Sequence, residues 1–385
     1  MVVPSFTVFA VFRLIHGTLY PTLYQSPTII LVEMVAKKTR TKIVGVNCIS
    51  WSIGMCILPL LAYLCRDWRI LGLITTCCCI PFLASWRFLP ESPRWLVSVG
   101  RYEEATVILT RIAKTNGYPV PTDLMTKLKK FQKNIKEEEE TTYNLKDLFH
   151  YSTLRKHFLI VTLSWISCVI GFYSLVINAT NLYGNEFLNF FFLGLVDVPG
   201  IFLSLFLMEK LGRRWTNVIF MSMAGFSILI SGGFSTELPI ATTALAIIGK
   251  FGFIGAFVAM YQQAAELYPT PVRALGMGTS ATFACITTIC APYIVYLGTY
   301  KRYIPYLIVG GVCLVASFAS SFLPETLQSK LPQTIEDGEE FGKQQKYFSC
   351  LGLHISRTTT GVKKNDNKKA GSIVEEQDLE LLPTV

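Results

Sequence analysis

Charge is scarce in this sequence. Only 16% of its 385 residues are Asp, Glu, Lys or Arg, against about a quarter in soluble domains. That deficit excludes an ordinary water-soluble globule. Histidine is scarcer still: His16, His150, His157 and His354 are the only four, with no ligand-like spacing, so no metal site is expected. No glycine-rich phosphate loop and no Ser/His/Asp set occurs, and neither an enzyme nor a cofactor is expected. The first residues lack a basic n-region and a small-residue cleavage site, so no signal peptide is expected. Cysteine is present, eleven times, but nearly all copies, including Cys77-Cys78-Cys79, lie in apolar runs. There the thiol behaves as a small hydrophobe, and no disulfide framework is expected.

What fills the chain instead is apolar sequence, 51% of residues. Runs near the ~20 residues needed to cross a bilayer fall at 5–34, 43–65, 68–89, 158–179, 186–208, 215–234, 239–264, 276–298 and 303–323. The spacing predicts an all-α membrane protein of about nine spans, with the lipid bilayer as its first partner. The segments 36–42, 90–157, 209–214, 266–273 and the tail after 324 share one side and hold 28 of the 35 Lys and Arg. That side is expected to be cytoplasmic, with the C-terminus on it. The net charge of +9 then follows from topology, and no nucleic-acid partner is needed.

Two phrases recur about one half-chain apart. Arg87-Phe88-Leu89-Pro90-Glu91 returns as Ser321-Phe322-Leu323-Pro324-Glu325, and Glu33, seven residues before Arg40, returns as Glu266, seven before Arg273. The offsets, 234 and 233 residues, share one register. Duplicated helical halves with solute held between them are a common plan for secondary transporters. Three spans precede the first Phe-Leu-Pro-Glu and six separate it from the second, so the first half is expected to lack three helices. The chain divides into 1–90, the remnant of a first bundle, a cytoplasmic loop over 91–157, a six-helix bundle over 158–324 and a polar, disordered tail over 325–385. Within the loop, Arg101 to Asn116 has helical apolar spacing and stops at Gly117. It reads as a solvated linker helix or as one lying on the anionic leaflet.

Carriers need charge clusters at helix ends that pair in one state and part in another. The candidates are Glu33 with Arg40, Glu91 with Arg94, Arg213 and Arg214, Glu266 with Arg273, and Glu325. The alternative is that they are topogenic charges and helix-end partners. Ionisable groups within spans are costly and usually functional; here they are Arg13, Asp197 and Lys250. Arg13 either acts within the bundle or snorkels to the interface. Asp197 is placed to receive a cation or to pair with Lys250, and Lys250 to hold a carboxylate. Trp165, Phe172 and Tyr173 cluster on the fourth span, where π faces can bind a quaternary ammonium. Gln262 and Gln263 are unusual in a span, and at least one must face a polar interior.

Pro90-Glu91-Ser92-Pro93-Arg94-Trp95-Leu96 with Gly100-Arg101-Tyr102-Glu103-Glu104-Ala105 resembles the segment after helix 6 of the major facilitator superfamily. Arg155-Lys156-His157, Leu211-Gly212-Arg213-Arg214, Ala265 to Thr270 with Arg273, and Leu323-Pro324-Glu325-Thr326 are similar to its organic cation/anion/carnitine branch. Gly249-Lys250-Phe251-Gly252 and Leu297 to Tyr300 through Pro305-Tyr306 are most like the carnitine-carrying group. The resemblance covers roughly 5–345 and implies that about nine of twelve helices are present, family helices 4–6 and 7–12. It implies an alternating-access carrier of small organic cations or zwitterions in the plasma membrane, its coupling ion unspecified. The other reading is a truncated isoform or gene-model fragment that carries nothing or modulates a full-length partner. The resemblance adds Tyr24 and Tyr261 to the aromatic candidates and supports Trp165. It also marks departures: the helix-11 charged position is Cys285, the helix-10 acid of cation carriers is Val258, and the helix-8 lysine of anion carriers is Ile201. Asn178-Ala179-Thr180 is a glycosylation sequon at an expected outer helix end.

Overall fold

The computed structural model describes residues 5–34, 37–81, 90–117, 119, 123–129, 145–234, 238–327, 329, 332, 334–343 and 345. The described residues form two compact units, those within 1–48 and 64–129 in one and those within 49–63 and 145–345 in the other. All regular elements among them are helices.

The first unit carries α1 (Phe6–Met34), the start of α2 (Lys37–Cys65), α3 (Trp68–Cys77), α4 (Pro93–Val99) and α5 (Tyr102–Thr115). The motif after Glu91 explains itself as a helix start. Ser92 accepts a hydrogen bond from the Trp95 N–H at 3.3 Å, and Pro93 fills the first turn, where its missing donor costs nothing. Gly100, at φ +86°, closes α4 by donating to Leu96 and Val97, while the Arg101 N–H donates to Leu96 at 2.8 Å. The expected linker helix is α5. It packs Ala105 with Leu96, Val97, Leu124 and Leu128 into a small core.

The second unit opens with α6 (Leu145–His150) and α7 (Ser152–Ile177), then α8 (Glu186–Leu195) and α9 (Asp197–Leu211), α10 (Arg213–Phe234) and α11 (Pro239–Leu267). It continues with α12 (Thr270–Thr288) and α13 (Cys290–Tyr296), α14 (Ile304–Ser320) and α15 (Ile335–Glu340). Six described stretches are long and apolar enough to cross a membrane, including 152–181, 186–211, 213–234, 239–267 and 271–299. Two shorter apolar helices, 6–18 and 304–320, accompany them. The span over 186–211 is broken at Val196, three residues before Pro199, whose nitrogen cannot donate.

Helices in a bilayer gain nothing from hiding apolar surface from lipid, so they associate through close backbone approach and buried hydrogen bonds. Both devices are present. A Cβ on Gly252 would stand 2.8 Å from Ala224 and from the Phe220 carbonyl, so α10 and α11 meet backbone to backbone. Hydroxyl pairs tie Thr162 to Ser280 at 2.9 Å, Ser164 to Ser320 at 2.7 Å and Ser222 to Ser317 at 2.7 Å. These join α7 to α12, α7 to α14 and α10 to α14. Gly252→Ala is expected to lower stability by about 1–3 kcal/mol, since backbone cannot give way. Gly233→Ala, with nothing within 4 Å, is expected to be tolerated. Melting of the two purified variants checks the contrast.

Candidate functional site

Asp197 opens α9 just past the break in its span, and Lys250 sits midway along α11. Both side chains are completely buried, and the Lys250 ammonium donates to one Asp197 oxygen at 2.5 Å. The same ammonium lies 3.9 Å from the centre of the Phe172 ring. The second Asp197 oxygen has no hydrogen-bond partner among the described residues. Of the two readings open for this pair, the geometry supplies the ion pair: each charge neutralises the other where neither reaches solvent.

A second cluster stands on α7 and α11. The rings of Trp165 and Phe257 are 5.5 Å apart, Trp165 and Tyr261 5.9 Å, and Phe257 and Tyr261 6.4 Å. Trp165 is buried, Phe257 half-buried and Tyr261 exposed, so the cluster runs from the core to the surface of its unit. Phe257 was not among the residues singled out from sequence. Its spacing of four from Tyr261, which puts both on one helix face, was the available signal. Phe172 and Tyr173 pack on each other at 5.5 Å. The Tyr24 side chain lies outside the described residues, and exposed Arg13 stacks over Phe9 at 5.2 Å.

The third cluster gathers the polar helix ends. Arg213 pairs with Glu266 at 3.0 Å, both mostly buried. Glu266 also accepts from Gln262 at 2.7 Å and from the Thr326 hydroxyl at 2.6 Å. Gln262 therefore stands in this cluster rather than with the aromatic rings. Gln263 donates to the Pro324 carbonyl at 3.3 Å. Glu325 caps the start of α10 by accepting from the Arg213 N–H at 2.8 Å and the Arg214 N–H at 3.1 Å. Gly212, at φ +91°, makes this possible, because any side chain there would collide with the Glu325 carboxylate. Arg273 donates to the Tyr268 carbonyl at 3.2 Å. In the other unit, exposed Glu91 faces exposed Arg101 at 3.7 Å. The side chains of Glu33, Arg40 and Arg94 lie outside the described residues. Asn178 is half-buried, and its amide nitrogen donates to the Tyr306 hydroxyl at 3.0 Å.

A family model described as "Sugar (and other) transporter" matches residues 2–336. The chain belongs to that family. This member is 34% identical over 334 residues to the human organic cation/carnitine transporter 2, covering 86% of this chain and 59% of the relative. It is 38% identical over 342 residues to organic cation transporter 1 of Caenorhabditis elegans, covering 87% and 58%. To the carcinine transporter of Drosophila melanogaster it is 34% identical, covering 88% and 51%. The chain thus spans about half to three fifths of the length of these relatives. Among solved structures, the inward-open xylose transporter XylE of Escherichia coli matches with a TM-score of 0.63 at 18% identity. That match covers 82% of this chain and 69% of the other. XylE bound to 6-bromo-6-deoxy-D-glucose matches at 0.57 and 19%, over 82% and 70%. The fold is that of the major facilitator superfamily, as the sequence motifs led one to expect.

The buried pair has a distinctive mutational signature. Removing one partner strands a charge and costs about 3–5 kcal/mol, whereas removing both leaves none. Asp197→Asn and Lys250→Met are each expected to lose folded protein, and the double variant to regain it. Size-exclusion recovery of the three variants checks this; well-folded singles would show that the charges are not a mutual requirement.

Proposed function

We propose that this chain serves alternating-access transport of small organic cations or zwitterions across the plasma membrane. The observation that carries the reading is the Trp165–Phe257–Tyr261 cluster, three rings within 6.4 Å of one another on two neighbouring helices. Such a group meets a quaternary ammonium with π faces, each worth ~0.5–2 kcal/mol. The relatives named for organic cations and carnitine support the same substrate class. Asp197 and Lys250 then serve as framework, since a sealed pair has no free charge to offer. The Arg213–Glu266–Glu325 cluster, with Glu33, Arg40, Glu91, Arg94 and Arg273, is the proposed cytoplasmic gate. Within a single unit, Arg213 pairs through its guanidinium with Glu266 and donates its N–H to Glu325.

The test is uptake of tetraethylammonium and of carnitine into proteoliposomes. Trp165→Leu and Phe257→Leu are each expected to raise KM about 2–30-fold for both solutes, the span one ring contributes, with folding unchanged. An unaltered KM in both variants would remove the cluster from the solute path.

Orientation is part of the proposal. The Lys and Arg excess on the 91–157 loop and the tail places both in the cytoplasm. Tags at residues 120 and 380 are expected to be labelled only after permeabilisation, and one at 183 in intact cells. Labelling of residue 120 from outside would reverse the assignment.

A further inference from the structure

The segment after the last span returns to the helix ends it has just left, and it is fastened at both of its own ends. At the far end, α15 starts with a reciprocal cap: Asp337 N–H donates to the Thr334 hydroxyl, and Thr334 N–H to the Asp337 carboxylate, each at 3.1 Å. Ile335 is buried in the main core. Gly338 fits between Pro269, at the start of α12, and Leu154, in the first turn of α7, and a side chain there would collide with both.

Glu339 then reaches the start of α7. Its carboxylate accepts from the Thr153 N–H at 2.8 Å, the Leu154 N–H at 3.3 Å, the Thr153 hydroxyl at 2.8 Å and the Ser152 hydroxyl at 3.2 Å. Lys343 stands 3.3 Å away. Tyr151, the residue preceding α7, supplies no side-chain cap, so the first-turn donors depend on a carboxylate almost two hundred positions along the chain. Burial would raise the Glu339 pKa, but the bonds from Thr153 and Leu154, with Lys343, outweigh it and hold it down at about 2. A carboxyl lowered from its usual 4.5 gives stability that is full above that value and is lost progressively as pH falls from there to about 2. The contact therefore stays charged and closed throughout the physiological range.

Glu325, at the near end, is gripped from both sides by Gln345, six residues past Glu339. The Gln345 amide nitrogen donates to the Glu325 carbonyl at 2.9 Å, and its amide oxygen accepts from the Glu325 N–H at 2.8 Å. Glu325 is the residue whose carboxylate caps α10 and also accepts from the Thr326 N–H at 3.0 Å and the Leu327 N–H at 3.1 Å. One short segment thus spans two helix caps: Glu339 on α7 at one end, and Glu325 on α10, beside Arg213 and Glu266, at the other.

We propose that the described residues within 325–345 act as a strap that couples these two caps, so that releasing Glu339 from α7 loosens Glu325 and the Arg213–Glu266 pair beside it. Chain between two fixed points is ordered by both, and either fastening lowers the cost of making the other. The strap makes the charge cluster responsive to the tail that follows it: pulling the tail from α7 weakens the cluster at α10. Only that last step, control of a gate, rests on the proposed function. The coupling stands or falls without any transport measurement.

First-turn amides of a helix have no partner within it, so their hydrogen exchange reads the caps directly. In the full chain in nanodiscs, the amides of Thr153, Leu154, Arg213, Arg214, Thr326 and Leu327 are expected to be protected. Glu339→Gln is expected to speed exchange at least tenfold at 153–154 and several-fold at 213–214 and 326–327, with amides in the middle of α10 unchanged. Reciprocity demands the converse: Gln345→Ala is expected to speed exchange at 153–154 as well as at 326–327. If each variant loosens only its own end, the caps are independent and the strap is overturned. Should Glu339→Gln fail to fold, Gln345→Ala decides alone, an unchanged 153–154 refuting the coupling and a faster one supporting it.

Discussion

Hydrocarbon surroundings hold no water for a polar group to turn to, and this constraint organises the second unit. Asp197 and Lys250 meet it most severely, since each is fully buried and each is charged. Their contact fixes the register of α9 on α11, and both helices inherit further features from it. The span over 186–211 breaks at Val196, just before the aspartate, which lets the carboxylate leave the helix line near Pro199. Ser204 donates to the Gly255 carbonyl at 2.8 Å, holding the next turns of the same two helices together. Gly200 and Gly252 carry no side chain because α9, α10 and α11 have no room for one.

The same constraint acts differently where the helices end. An α-helix leaves several N–H groups unpaired at its start, and the chain solves this by two means. The α4 helix caps itself, with Ser92 and Pro93 at one end and Gly100 at the other. In the second unit Asn185 and Thr334 cap α8 and α15 locally, but α10 and α7 take theirs from far along the chain, from Glu325 and Glu339. A local cap stabilises one helix. A distant carboxylate stabilises that helix and also fixes its distance from a neighbour, and so converts helix ends into tertiary structure.

This difference marks how much was legible in the sequence. Span positions were readable because hydropathy accumulates over twenty residues whatever the packing. The break at Val196 and the separate α12 and α13 were not, because a window average passes over a single turn. Asp197 and Lys250 stood out as charges within spans, and their pairing was one of two readings that sequence left open. The Glu325 match with Glu91 was visible as a repeat, yet its two roles are unlike: Glu325 is buried and caps a helix, whereas Glu91 faces solvent beside Arg101. Gln262 and Gln263 were marked because at least one must face a polar interior, and their amides donate to Glu266 and to the Pro324 carbonyl. Glu339 gave no signal, since an acid in a polar tail looks like every other acid there until α7 is placed against it.

The sealed pair also bears on what kind of recognition the proposed site can perform. With Asp197 and Lys250 neutralising each other, the interior of this unit keeps almost no net charge to direct at a solute. Cys285 on α12 and Val258 on α11, the two positions marked by the family resemblance, carry no charge. Recognition of an ammonium then falls to ring faces, whose attraction is short in range and tolerant of the groups around the nitrogen. Three rings at ~0.5–2 kcal/mol each supply about 1.5–6 kcal/mol, less than the ~8 kcal/mol that micromolar binding needs. A carrier built this way discriminates by size and by the presence of a cationic face rather than by a single salt bridge.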